Sequence, residues 1–132
     1  GTLTLIILDT HAWVWWVSAP AMLSPAAARA VAEDPVRGVS IISGWEVALL
    51  VRKNRIKLDR PVHRWVDHAL AKPGVELLDI DLQVALEVGG EVPGLHNDPA
   101  DRFIATTATR RGCAVVTKDE LLRRFEPLKT IW

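Results

Sequence analysis

Acidic side chains stand where predicted strands give way to helices. Asp9 directly follows the apolar run Leu3–Leu8, and Asp119 comes two residues after the apolar run Cys113–Thr117. Glu46 is predicted in the first turn of a helix that follows another apolar run. Carboxylate oxygens are the ligands that hard divalent ions prefer, and a bound ion can activate water against a phosphodiester. These residue types therefore point to a metal site with hydrolytic chemistry.

Two more acids occur together in the segment Asp98-Pro99-Ala100-Asp101, at the predicted start of a helix. Taken singly, most of these acids have an ordinary structural explanation. Asp98 and Asp119 suit helix N-caps, and an acid in a first turn, such as Asp101, is favoured by the helix dipole. Asp9 follows a buried strand and has no evident role as a cap. The set as a whole is better explained by a common site.

The elements that must position these acids can be read from apolar runs and turn residues. Five predicted strands cover Leu3–Leu8, Val39–Ile42, Val75–Ile80, Cys113–Thr117 and Leu128–Ile131. Continuous apolar strands that alternate with helices are typical of a parallel sheet covered on both faces. Parallel strands end at the same edge, where ligand sites of open α/β sheets lie. We therefore expect Asp9, Glu46, Asp119 and the helix start at Asp98 to meet there.

Capping residues mark the predicted helices. Their expected extents are Ser24-Pro25 to Glu33, Ser43–Glu46 as a capping box before Val47–Val51, Arg60-Pro61 to Lys72, Asp81 to Gly89-Gly90, Asp98 to Gly112, and Asp119 to Arg124. Each begins with a residue type that satisfies free amides or with proline at the first turn. Trp13 and Trp16 have the spacing of one helix face after Asp9, and Trp15 falls off that face.

Composition limits the class of protein. The 132 residues suit a single domain, residues 1–132, and the 16 basic and 16 acidic side chains cancel, so a strongly basic nucleic-acid binder is not indicated. Cys113 is the only cysteine, which excludes an intramolecular disulfide and fits a cytoplasmic protein. No apolar run reaches the roughly 20 residues that a membrane helix needs.

Four segments, taken in order, resemble the acidic motifs of PIN-domain nucleases, and most of all those of VapC-type toxins. They are Ile7-Leu8-Asp9-Thr10-His11, Ser43-Gly44-Trp45-Glu46-Val47-Ala48, His96-Asn97-Asp98-Pro99-Ala100-Asp101-Arg102-Phe103-Ile104-Ala105 and Val116-Thr117-Lys118-Asp119. The resemblance covers essentially the whole chain. No single motif is specific, but the ordered set is.

The resemblance implies an α/β fold, a Rossmann-like three-layer α/β/α PIN domain with parallel strand order 3-2-1-4-5. It implies a hydrolase, an endoribonuclease that cleaves RNA phosphodiester bonds with Mg²⁺ or Mn²⁺. It also implies a homodimer and a cognate VapB-type antitoxin that wraps the toxin and blocks its pocket.

The resemblance further implies a role for each matched acid. Asp9, Asp101 and Asp119 would hold the metal, and Glu46 would complete its shell or orient the attacking water. Thr117 would support Asp119 with its hydroxyl.

Residues beside these acids have more open roles. Asp98 is expected to support the ligands without binding the ion. Arg102 and Lys118 are candidates for the rim that receives RNA, although Arg102 could instead neutralise Asp98. His11 and His96 lie near site acids, and we expect them to hydrogen-bond or face solvent rather than bind metal.

Other interpretations stay open from the sequence. A haloacid-dehalogenase phosphatase needs an aspartate at position 11, where the chain has His11. A receiver-like signalling domain could use Asp79 or Asp81, but would leave Glu46 and Asp101 unexplained. A PIN-type RNA-processing nuclease outside a toxin system, or a catalytically silent PIN module, are further alternatives.

Overall fold

A single parallel sheet forms the centre of the molecule. The computed structural model describes residues 5–132, so Leu3 and Thr4 of the predicted first strand lie outside it. The described strands are β1 (Leu5–Leu8), β2 (Val36–Ser40), β3 (Val75–Leu78), β4 (Ala114–Val116) and β5 (Thr130–Ile131). Their order is β3-β2-β1-β4-β5, and each neighbouring pair is parallel. The predicted order 3-2-1-4-5 is confirmed, and it differs from the 2-1-3-4-5 order of receiver domains.

Helices connect the strands and cover both faces of the sheet. They are α1 (Thr10–Ser18), α2 (Pro25–Glu33), α3 (Ile41–Arg52), α4 (Val62–Leu70), α5 (Leu82–Gly89), α6 (Pro99–Arg111) and α7 (Glu120–Arg124), with a 3₁₀ turn at Pro20–Met22. Within residues 5–132, no helix has both the length and the apolar character needed to cross a bilayer.

The central strand is apolar throughout because both of its faces are covered. Ile6 and Leu8 belong to a core cluster with buried side chains of α1, α2, α3 and α4. Ile7 belongs to a second cluster, formed with α6, α7 and the segment that follows α7. Since neighbouring residues of a strand point to opposite faces, this alternation explains the continuous apolar run.

The boundary between β2 and α3 differs from the prediction. The predicted strand Val39–Ile42 is wrong at both ends, because β2 begins at Val36 and ends at Ser40. Ser40 is the N-cap of α3, and its Oγ accepts the Ile42 amide at 3.2 Å. The helix therefore starts earlier than the capping box predicted. As a result, Glu46 lies in the second turn of α3 rather than in its first.

Most of the other helix starts agree with the prediction. Ser24, Asp81, Asp98 and Asp119 each cap a helix through a side-chain oxygen that accepts an amide three residues ahead. Helix α4 is shorter than predicted and ends at Leu70.

Candidate metal centre

Asp9 lies between the end of β1 and the start of α1. Its Oδ1 accepts the Ala12 amide at 2.9 Å, and Asp9 is therefore the N-cap of α1. The expectation that Asp9 has no capping role is wrong, because α1 begins at the very next residue. The side chain is also buried, with only 5% of the residue exposed.

Thr117 joins the ends of β1 and β4. Its hydroxyl donates to Oδ2 of Asp9 at 2.5 Å, a length typical of a hydroxyl bound to a carboxylate. The same oxygen accepts the Asp119 amide at 3.0 Å. Asp119 in turn caps α7, with its Oδ1 accepting the Leu122 amide at 3.0 Å. One fully buried hydroxyl thus fixes the relative position of two candidate ligands.

The start of α6 supplies two further acids. Oδ1 of Asp98 accepts the Asp101 amide at 2.9 Å, which caps the helix. Oδ2 of Asp101 lies 2.8 Å from Nε2 of His96. His96 therefore makes a hydrogen bond, as expected.

Glu46 reaches the same region from α3. Burial raises the pKa of its carboxyl, against the opposing effect of the neighbouring Thr10 hydroxyl. The nearby carboxylates of Asp98 and Asp9 raise the pKa further. Glu46 is therefore close enough for the charges of two other acids to affect its pKa.

The electrostatics of the cluster favour a bound cation. Burial raises the pKa of Asp101 to about 7, despite the His96 contact, and the charges of Asp98, Asp119 and Asp9 add to the rise. Burial also raises the pKa of Asp9. Within residues 5–132 no lysine or arginine forms an ion pair with these carboxylates. Like charges held together without a counter-charge are relieved by a divalent ion.

The distances identify which atoms could share an ion. One ligand atom each from His96, Asp101 and Asp119 lie within 4.8 Å of one another. Asp9 is not a member of this group, and both its oxygens accept hydrogen bonds. Each carboxylate oxygen has a second lone pair, so these bonds still leave Asp9 acceptor capacity. The donor set is rich in oxygen and fits a hard divalent ion.

A cavity of about 330 Å³ opens beside the acids, lined by Asp9, His11, Trp15, Lys118 and Asp119. His11 and Trp15 are one helical turn apart on α1, with ring centroids separated by 5.7 Å. Their joint position in this cavity was not predicted. Their i, i+4 spacing directly after Asp9 is the signal that could have done so.

Arg102 does not lie on the rim of this cavity. Its guanidinium donates to the backbone carbonyls of Val88, Gly90, Leu95 and His96 at 2.9–3.5 Å. Among the described residues it forms no ion pair with Asp98. The expected pairing with Asp98 is therefore wrong, because the guanidinium turns towards the segment that precedes α6. The role of Arg102 in receiving RNA stays a prediction.

Known proteins are similar to this chain in sequence and in fold. The sequence model of the PIN domain family matches residues 6–127. Ribonuclease VapC22 from Mycobacterium tuberculosis is 36% identical over 132 residues, which cover 98% of this chain and all of that protein.

Solved structures share the fold at lower identity. VapBC2 from Rickettsia felis, bound to a DNA fragment from its promoter, aligns with a TM-score of 0.69 and 19% identity over 96% of this chain and 97% of the other. VapBC-1 from nontypeable Haemophilus influenzae aligns with a TM-score of 0.61 and 16% identity over 96% of each chain. With the four acidic motifs in their expected order and the predicted sheet order present, the chain belongs to the PIN domain family and, within it, to the VapC-type proteins.

Proposed function

We propose that this protein is a metal-dependent endoribonuclease and the toxin of a toxin–antitoxin pair. The observation that carries the proposal is the convergence of Asp9, Glu46, Asp101 and Asp119 from separate segments, with no lysine or arginine paired to them among the described residues. Ribonuclease VapC22, at 36% identity, supports RNA as the substrate.

The acids would have different roles in hydrolysis. Asp101 and Asp119, with Asp9 beside them, would hold Mg²⁺ or Mn²⁺. A bound ion would lower the pKa of the attacking water and stabilise charge on the phosphate. Glu46 would orient that water and accept its proton, a role suited to a carboxylate whose pKa is raised. Thr117 would keep Asp9 and Asp119 in register.

RNA would reach the acids through the adjoining cavity. Lys118 is exposed at this cavity and would bind a backbone phosphate, which the acids alone would repel. Trp15 and His11 line the same cavity and would contact the nucleotide beside the cleaved bond.

The proposed partner is a cognate VapB-type antitoxin. The support is the group of similar folds from toxin–antitoxin complexes, among them one from Klebsiella pneumoniae with a TM-score of 0.59. We further propose that the toxin forms a homodimer and acts in the cytoplasm, where both RNA and antitoxin would be available.

The decisive experiment measures cleavage of a mixed RNA substrate with Mg²⁺ or Mn²⁺, with EDTA, and by the variants Asp9→Ala and Asp101→Ala. We expect cleavage with either ion, none with EDTA, and losses of at least about 100-fold in the variants. Asp67→Ala is the matched control, because Asp67 is an exposed acid on α4, a helix that carries none of the site acids.

Two results would contradict the proposal. Cleavage that persists in EDTA would remove the metal from the mechanism. Equal activity of Asp101→Ala and Asp67→Ala would remove the acidic cluster from it.

An RNA-processing nuclease outside a toxin system is the alternative. Expression of the protein in a bacterial host, with and without the open reading frame that neighbours its gene, separates the two. Growth arrest relieved by that neighbour supports the toxin, and normal growth in both cases favours RNA processing.

A further inference from the structure

His96 makes the one side-chain hydrogen bond to Asp101 that the described residues contain. Its Nε2 lies 2.8 Å from Oδ2 of Asp101, and 18% of the histidine side chain is exposed. Its Nδ1 is buried and has no hydrogen-bond partner among the described residues. A ring proton on Nε2 suits this setting, since an N–H at Nδ1 would have no acceptor among the described residues. In that tautomer His96 donates to Asp101.

The backbone that carries His96 is held from the start of α6. Arg102 makes five hydrogen bonds to four carbonyls, two of them to Val88 and one each to Gly90, Leu95 and His96. These carbonyls bracket the segment from the end of α5 to His96. Leu95 anchors the same segment in the second core cluster. The ring of His96 is therefore held relative to Asp101 by the residue next to Asp101 in sequence.

We propose that His96 is a positioning residue that holds the Asp101 carboxylate in the orientation needed to bind a divalent ion, with Arg102 fixing the segment that carries it. The inference rests on the metal site proposed above. By occupying Oδ2, the imidazole leaves Oδ1 free of side-chain hydrogen bonds within the described residues. Residues that hydrogen-bond to metal ligands commonly set the affinity of a site.

His96 is better suited to this role than to direct binding of the ion. Nε2 is engaged with Asp101 and Nδ1 is enclosed by protein, so neither nitrogen is free in this arrangement. A histidine ligand instead directs one unprotonated nitrogen to the metal and donates from the other.

Titration calorimetry with Mn²⁺ tests the role on three variants of the full chain. In His96→Gln the amide nitrogen reaches about as far from the backbone as Nε2, so we expect an affinity within about threefold of the unmodified protein. His96→Asn has a shorter amide that falls short of Asp101, and His96→Leu has no donor. We expect both to bind Mn²⁺ about 10- to 100-fold more weakly. His63→Leu is the matched control, because His63 is exposed on α4, a helix that carries none of the site acids.

The outcomes separate this inference from the proposed function. An unmodified protein that binds no Mn²⁺ would overturn the metal site itself. Tight binding by the unmodified protein together with unchanged affinity in His96→Asn and His96→Leu would overturn only the role of His96. If His96→Leu lost far more affinity for Co²⁺ and Ni²⁺ than for Mg²⁺, the imidazole would be identified as a metal ligand. That result would also overturn the positioning role of His96. A cooperative thermal melt in EDTA establishes that each variant is folded. If His96→Leu does not fold, His96→Asn alone tests the role of the hydrogen bond.

Discussion

The ionised carboxylate of Asp101 has opposite effects on stability in the metal-free and in the metal-bound protein. It lies among Asp98, Asp119 and Asp9, and its pKa is raised to about 7, mainly by burial. A carboxylate with a raised pKa is destabilising when ionised, and becomes favourable when a cation occupies the site. At Asp101, stability and function are therefore in conflict, because the charge that would bind the ion destabilises the metal-free protein.

This conflict predicts the effect of Asp101→Asn. We expect the variant to be more stable than the original by about 2 kcal/mol at pH 8 without metal, because a buried like charge is removed. Its side-chain oxygen can still accept from His96. We expect loss of both Mn²⁺ binding and RNA cleavage. Urea unfolding in EDTA measures the stability, and a destabilised variant would contradict the account.

The same group predicts a pH dependence. The folded protein keeps a proton on Asp101 up to a pKa of about 7, whereas the unfolded chain releases it near the ordinary aspartate pKa of 3.8. The folded state thus binds more protons in this window, and the free energy of unfolding should fall as the pH rises from about 4 to about 7. The raised pKa values of Asp9 and Glu46 act in the same direction.

Mn²⁺ should oppose this trend, because the ion binds the ionised carboxylates. We expect the rise in melting temperature caused by Mn²⁺ to be larger at about pH 8 than at about pH 5.5. Thermal melts at both pH values, with Mn²⁺ and with EDTA, measure it. The account fails if the metal stabilises the protein more at the lower pH.

At the scale of elements, helix N-termini place most of the acids. Asp9, Asp98 and Asp119 cap α1, α6 and α7, and each uses one oxygen to accept a backbone amide. A cap fixes the side-chain torsion. The second oxygen of Asp98 and of Asp119 accepts no hydrogen bond among the described residues, whereas Oδ2 of Asp9 accepts the Thr117 hydroxyl. The capping explanation and the site explanation are therefore compatible for the same residue.

The turn between α4 and β3 imposes a separate constraint, at Gly74. This residue has a φ of 74°, and a Cβ there would lie 2.6 Å from Nη1 of Arg37 and 2.8 Å from the carbonyl oxygen of Pro35. We expect Gly74→Ala to reduce the free energy of unfolding by about 2 kcal/mol, through backbone strain and steric overlap.

Gly44 is the matched control within a helix. A Cβ at this position meets no atom within 4 Å, and Gly44 lies inside α3. We expect Gly44→Ala to raise the free energy of unfolding by about 0.5–1 kcal/mol. Urea unfolding measures both variants, and shifts of the same sign would contradict the structural account.

At the scale of the whole molecule, α5 presents an apolar surface. Leu82 and Leu86 are 69% and 63% exposed and lie one turn apart. Adjacent exposed leucines of this kind often mark a contact with another protein. The proposed homodimer offers one way to cover them.

We therefore expect the double substitution of Leu82→Glu and Leu86→Glu to convert a dimer to a monomer without loss of fold. Light scattering coupled to size exclusion measures the mass, and circular dichroism checks the fold. Leu121→Glu, at a leucine that is 51% exposed on α7, is the control. A monomeric starting protein, or equal effects at both places, would exclude α5 as the dimer surface.

The sequence determined the features that depend on neighbours along the chain. Asp98 and Asp119 each accept an amide three residues ahead, so their caps were visible in the sequence. The apolar runs indicated a sheet covered on both faces, and the motif resemblance supplied its strand order.

Features that depend on residues far apart in sequence arise only when the chain has folded. Ile41 and Ile42 suit a strand or a helix equally, and pairing of Val36 with Leu5 sets where β2 lies. Thr117 meets Asp9 across 108 positions of sequence. Arg102 could reach several partners, and the packing of its segment selects backbone carbonyls. Local hydrogen bonds follow from sequence spacing, whereas these contacts exist only after the sheet has brought separate segments together.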